Sequence, residues 1–217
     1  MSMATWTTVV RRVEEPGALE EALGWLWRSQ VVAFPTDTVY GVGANMADSA
    51  AVERLFQAKG RPEERGIPLL LADAESIERF CREVPEAAWR LVRRFWPGGL
   101  TLVLWRRDIV PERVVAGRPT VAVRLPDHPV PRALARELGG ALPATSANRS
   151  GAPAPATAEE VLEQLGGRIP LILDGGRCRV EQASTIVDLT QEPPRLLRVG
   201  PIPREALEAV LGCRVVG

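Results

Sequence analysis

Lys59 is the one lysine among 27 basic residues; the other 26 are arginine. Either this lysine is the one survivor of a coding bias toward arginine, or it sits where a compact ammonium is needed and a planar guanidinium will not do. Lys59 and Arg61 flank a glycine in "KGR". One reading is a helix C-terminus, with Gly60 left-handed and the cations complementing the helix dipole. The other is an anion clamp, in which a flexible ammonium and a bidentate guanidinium share one polyphosphate. "TSANRSG" gathers Thr145, Ser146, Asn148, Ser150 and Gly151, small groups that let backbone N–H donors converge on an anion, or that simply bond their own turn. "PTDTVYG", residues 35–41, carries two threonines, an aspartate and the single tyrosine, and Ser184-Thr185 follows the loop "DGGRCRVEQA", which reads as a hairpin turn or as part of a site. Arg124 and Arg198 end the apolar runs "TVAVR" and "RLLR", placed either in solvent or toward a cleft.

Ser146 is not expected to act as a covalent nucleophile. No G-x-S-x-G elbow surrounds Ser146, and the lone histidine, His128, rules out a His-rich metal centre. There is no GxxxxGK[ST] phosphate loop. Cys81, Cys178 and Cys213 are distant and odd in number, which suggests neither a disulfide framework nor a zinc site. No pair of carboxylates has metal-ligand spacing, so no protein metal site is expected.

Elements at fixed places must carry these groups. Strands are predicted over 7–10, 31–34, 67–71, 100–105, 120–125, 141–144, 169–173, 184–189 and 195–199. Helices are predicted over 16–28, over 48–59 with Asp48 as cap and Ala51, Val52, Leu55 and Phe56 inward, and from Asp73 through Phe80. A further helix places Ala88, Leu91, Val92 and Phe95 inward and stops at "WPGG". Residues 128–138 follow, with prolines tolerated in the first turn, then a helix with a Thr157/Glu160 capping box and Val161, Leu162 and Leu165 inward, and finally 203–211. Strands and helices mix with few clean βαβ repeats, which predicts an α/β fold: a single domain with a twisted mixed β-sheet flanked by helices. The polar segments fall at strand ends, where such sheets bind ligands.

An apolar fraction of 46% and a charged fraction of 25% fit a globular core, and a formal net charge of zero gives no bulk pull toward nucleic acid. No run approaches the ~18 apolar residues of a membrane span, and the N-terminus lacks signal-peptide order, so a cytoplasmic protein with no membrane partner is expected.

In order, "FPTDTVYGVGAN", "KGRP", "FWPGGLTLVL", "TVAVRLPDHP", "PATSANRSGAPAP", "LDGG", "STIVDL" and "LLRVG" resemble the YrdC-like family of threonylcarbamoyl-adenylate synthases over about 31–200, in its short, single-domain form spanning 1–217. The resemblance implies a YrdC-like fold and a nucleotidyl transfer. L-threonine, bicarbonate and ATP, with Mg²⁺ accompanying the ATP, would give threonylcarbamoyl-AMP and pyrophosphate for the N6-threonylcarbamoyl modification of tRNA adenosine 37. A downstream threonylcarbamoyl-transferase complex is an implied partner, and tRNA itself a further one. The family's Lys-x-Arg and Ser-x-Asn signature falls on Lys59, Arg61, Ser146 and Asn148. Its threonine contacts fall on Thr36, Arg124, Ser146 and Ser184, and its ATP contacts on Lys59, Arg61, Thr120, Asn148 and Arg198. A histidine of some members aligns with Ala72, so that contact is absent or replaced. "PTDTVYG" then becomes a substrate loop in which Gly41 and Gly43 permit close approach. Two rival readings are a double-stranded RNA or tRNA-binding module and a carbamoyl-transfer enzyme related to hydrogenase maturation.

Overall fold

A computed structural model describes residues 6–60, 64 and 66–217, which leaves Arg61 outside the described residues. In chain order the elements are β1 (Val9–Arg12), α1 (Ala18–Trp27), β2 (Val32–Phe34), β3 (Gly41–Gly43), α2 (Ser49–Lys59), β4 (Leu69–Leu71), α3 (Ile77–Phe80), α4 (Glu86–Phe95), β5 (Leu100–Trp105), α5 (Glu112–Val115), β6 (Thr120–Arg124), α6 (Pro129–Glu137), β7 (Ala141–Ser146), α7 (Ala158–Leu165), β8 (Leu171–Asp174), β9 (Thr185–Asp188), β10 (Arg195–Arg198) and α8 (Arg204–Leu211). The strands form one mixed sheet in the order β1-β8-β2-β3-β7-β4-β6-β5-β9-β10. The expected mixed α/β architecture is therefore present. Among the described residues no helix is long and apolar enough to cross a membrane.

β7 joins the two halves of the sheet. Its first three residues pair with β4 and its last three with β3, so Pro143 meets Leu69 while Ser146 meets Gly41. The predicted strand stopped at Ala144 because polar Thr145 and Ser146 read as loop; in the fold they complete the ladder to β3. β3 and α5 went unpredicted. Two glycines in three residues carry no strand signal, and four helical residues carry no period.

Alternation along the strands sorts the two faces. One face buries Leu100, Leu102, Val121, Val123, Leu69 and Leu71 against α2, α4, α7 and α8. On the other, α1 and α6 cover Val32, Phe34, Leu142 and Leu171. Those two helices pack over part of this face, and beyond them Thr101, Ala122, Arg124, Ser184 and Ile186 line an open cleft. Helical spacing puts Leu162 on the inner face of α7, but it is 40% exposed, while Val161 and Leu165 are buried. The loop from Gly175 to Ser184 is no hairpin, since it crosses from β8 near one sheet edge to β9 near the other.

Candidate active site

The cleft has a volume of about 320 Å³ and takes side chains from both halves of the sheet. Its lining includes Thr36, Arg124, Ser146, Ser184 and Arg198 from the predicted set. Its charged lining side chains, Arg118, Arg124 and Arg198, are all cationic, and no carboxylate is among the described lining residues.

Helix α2 delivers Lys59. Asp48 caps the helix as expected, its Oδ1 accepting from the Ala50 and Ala51 N–H groups. The last helical residue is Lys59, followed by Gly60 in the left-handed region (φ 58°). The helix-end reading of "KGR" holds, and the ammonium turns inward to protein acceptors; the clamp reading also needs Arg61, which lies outside the described residues. Lys59 is 3% exposed. Its Nζ donates to the carbonyl oxygens of Ser146 and Asn148, the latter at 2.6 Å, and to Asn148 Oδ1 at 3.3 Å. Ser146 Oγ donates to the same Oδ1 at 2.5 Å, and Asn148 Nδ2 donates to the carbonyls of Arg149 and Ala152. The Lys59 carbonyl accepts from the Ser150 N–H. Acceptors clustered on one tight turn suit the tetrahedral N–H directions of an ammonium better than a flat guanidinium fork. The ammonium and the "TSANRSG" turn therefore form one knot at the end of β7, beside the cleft.

At the other wall, β6 ends in Arg124, which is 6% exposed. Its Nε donates to the Gly98 carbonyl at 2.9 Å, Nη1 to Thr38 Oγ1 at 2.7 Å and Nη2 to Asp37 Oδ1 at 2.6 Å. Three of the five guanidinium N–H donors are thus engaged, leaving two for a ligand. Burial pulls the Arg124 pKa below the ordinary guanidinium value; the Asp37 carboxylate opposes that, and the like charge of Arg198 adds to it. Thr36 Oγ1 donates to the Val39 carbonyl and accepts from the Thr38 N–H. Its only hydrogen being spent, the Thr38 hydroxyl must be the donor across their 3.1 Å contact. A directed chain runs from Arg124 through Thr38 and Thr36 to Val39. Thr36 lines the cleft, and its hydroxyl hydrogen is committed within its own loop.

Ser184 is buried; its Oγ lies 2.8 Å from Thr101 Oγ1 and accepts from Arg198 Nη2 at 3.0 Å. Thr120 shares the cleft-facing side of β6 with Ala122 and Arg124. Ala72 is buried in the core beneath α6, away from the cleft lining. Gly41 is in the cleft lining, and Gly41 and Gly43 also have a packing role: a Cβ would meet the Phe34 ring at 2.9 Å at Gly41 and Leu142 at 3.1 Å at Gly43. Asp37, Thr38, Tyr40 and Thr101 belong to this neighbourhood and were not singled out by the sequence reading. The Tyr40 hydroxyl donates to the Gly176 carbonyl at 2.7 Å and accepts from the Gly175 N–H at 3.2 Å, which makes "LDGG" an anchor for the "PTDTVYG" loop. Burial raises the Tyr40 pKa, keeping the phenol protonated for this bond. The signal for Asp37, Thr38 and Tyr40 was their density in one short polar segment after a buried strand.

Among the described residues no group of three or more His, Cys, Asp or Glu could hold a metal ion.

The Sua5/YciO/YrdC family model, described as "Telomere recombination", matches residues 25–200. A threonylcarbamoyl-AMP synthase of Pyrococcus abyssi is 45% identical over 204 residues, covering 94% of this chain and 60% of that protein. One of Bacillus subtilis is 45% identical over 195 residues, covering 89% of this chain and 56% of that protein. The chain thus spans little more than half the length of these two curated relatives. The crystal structure of P. abyssi Sua5 complexed with L-threonine superposes with a TM-score of 0.90 at 43% identity, covering 96% of this chain and 62% of that one.

Proposed function

Because the chain belongs to the Sua5/YciO/YrdC family, we propose that it is an L-threonylcarbamoyladenylate synthase. The observation that carries this reading is the joining of Lys59 to Ser146 and Asn148 at the rim of a cleft whose charged lining side chains, among the described residues, are all guanidinium groups. Threonine's neutral amine attacks the bicarbonate carbon, a C–O bond breaks and water leaves, which gives the N-carboxylate, a carbamate. A carboxylate oxygen of that carbamate attacks the α-phosphorus of ATP, the bond to the β-phosphate bridging oxygen breaks, and pyrophosphate leaves. Every participant is anionic, so the protein's task is to hold like charges together and offset those that develop on the phosphate oxygens.

Arg124, with two N–H donors left over, takes the threonine carboxylate, and Ser146 and Ser184 the polar groups beside it. Thr36 keeps the loop over that end in shape. Lys59, Arg61, Thr120, Asn148 and Arg198 serve the nucleotide end. The described cleft residues offer no carboxylate to a divalent ion, so Mg²⁺ enters bound to the ATP phosphates, as part of that substrate. Positioning of this kind lowers a barrier by on the order of 7–11 kcal/mol in favourable cases. One domain over 1–217 performs the step, supported by a single sheet that runs from β1 to β10. The adenylate then passes to a transferase acting on tRNA adenosine 37, in the cytosol where ATP and tRNA are found.

Incubation with L-threonine, bicarbonate and Mg²⁺–ATP, followed by mass spectrometry, is expected to show a threonylcarbamoyl-AMP adduct and stoichiometric pyrophosphate, absent without threonine. Consumption of carbamoyl phosphate with no threonine requirement would replace this reading with carbamoyl transfer. Nucleotide-independent retention of RNA, steeply salt-dependent and with no adduct, would replace it with an RNA-binding module.

A further inference from the structure

We infer that Asp37 is a positioning residue for the amino-acid end of the cleft: it fixes the Arg124 guanidinium in the orientation that receives a carboxylate. The inference rests on the threonine reading above. A carboxylate next to an anion-binding arginine is at first sight misplaced, since it offsets the charge the substrate needs. The geometry explains it. The Asp37 and Arg124 side chains are 2% and 7% exposed and meet at 2.6 Å. The same Asp37 oxygen accepts the Asp127 N–H at 3.1 Å, and the Asp37 carbonyl accepts the Val180 N–H at 2.9 Å. Asp37 therefore joins three segments: the loop after β2, the turn after β6 and the loop before β9. Arg124 in turn is held from three directions by Asp37, Thr38 and Gly98.

A long, flexible side chain pays an ordering cost when it is immobilised by a ligand; here that ordering is complete before any ligand arrives. A buried guanidinium without a counter-charge would also tend to turn toward water or toward whatever anion came near. Asp37 removes both tendencies, and it uses one N–H to do so.

Calorimetry of the whole protein tests this by measuring Kd for L-threonine and, separately, for Mg²⁺–ATP. The proteins compared are wild type, Asp37→Ala, Arg124→Ala and the double variant. Asp37→Ala is expected to weaken threonine by about 10-fold or more and to leave ATP unchanged. In the Arg124→Ala background, Asp37→Ala is expected to add nothing, because it acts through the guanidinium. Thr38→Val removes a second anchor of Arg124 with little change of shape. It is expected to weaken threonine alone, again with no effect once Arg124 is gone, and it carries the test if Asp37→Ala does not fold. Equal weakening of both ligands, additive losses in the double variant, or an unchanged threonine Kd would each overturn the positioning role while leaving the function standing. A wild-type protein with no affinity for threonine would overturn both.

Discussion

A single ammonium decides much at the residue scale. Lys59 is buried and donates to carbonyls that fold the "TSANRSG" turn, while Ser146 and Asn148 spend their own hydrogen bonds inside the same knot. The Ser146 hydroxyl hydrogen is given to Asn148 Oδ1, and no base accepts it among the described residues, consistent with a mechanism that needs no protein nucleophile. Lys59→Met takes the ammonium from the Ser146 and Asn148 carbonyls, while Asn148 Oδ1 keeps the Ser146 hydroxyl; an unsatisfied buried group costs about 1–3 kcal/mol. The variant is expected to lower the unfolding free energy by about that much and to abolish threonine-dependent pyrophosphate release. Lys59→Arg is expected to keep the charge and still lose the activity, since a planar fork does not match acceptors gathered on one turn. Denaturant titration and a pyrophosphate assay check both; wild-type turnover in Lys59→Arg would show that charge alone is required. Lys59 was legible in the sequence because composition isolated it. Asp37 was not, because an aspartate between threonines in a loop reads as turn chemistry, and nothing local shows an arginine 87 positions away.

At the scale of elements, caps and periodicity were well encoded. The Asp48 cap, the Thr157 cap and the inward faces of α2 and α4 lie where spacing put them. What failed was short or glycine-rich: β3, α5 and the end of β7, all fixed by long-range pairing or packing that a local window does not contain. His128 shows an element acting on pH response. It caps α6, its Nδ1 accepting the Val130 N–H at 3.3 Å, and burial lowers its pKa from 6.5, with Asp37 and Asp127 opposing and Arg179 adding. A depressed histidine stays neutral in the fold while the unfolded chain takes a proton. Its contribution is present above about pH 6.5 and is lost as pH falls below that. Asp48 and Asp73 are also depressed, mainly through hydrogen bonds from Ser29 and Ser76 respectively, and their contribution fades at lower pH, below the ordinary carboxylate range. Thermal midpoints are expected to decline in two stages on acidification. His128→Asn, which keeps a cap acceptor without a titrating group, is expected to remove the first stage. A first stage unchanged in that variant would reassign it.

For the molecule as a whole, the site exists because helices pack over only part of one sheet face. Along β5 and β6 the core residues of the opposite face alternate with Thr101, Ala122 and Arg124, which with Ser184 line the uncovered half, and β7 brings the "TSANRSG" turn to the same opening. Zero net charge concealed this, because the balance of 27 basic and 27 acidic residues is global while the described charged lining of the cleft is cationic. The order of motifs along the chain made the site legible as a set; their convergence across a ten-stranded sheet is a property of topology. The central claim is that threonine and ATP share this one cleft, and titration calorimetry of L-threonine with and without saturating Mg²⁺–ATP measures it most directly. The expected result is a threonine Kd tightened about 5-fold or more by the nucleotide, with an equal factor when the order is reversed. Identical threonine affinity in the two conditions, or no threonine binding in either, would contradict it.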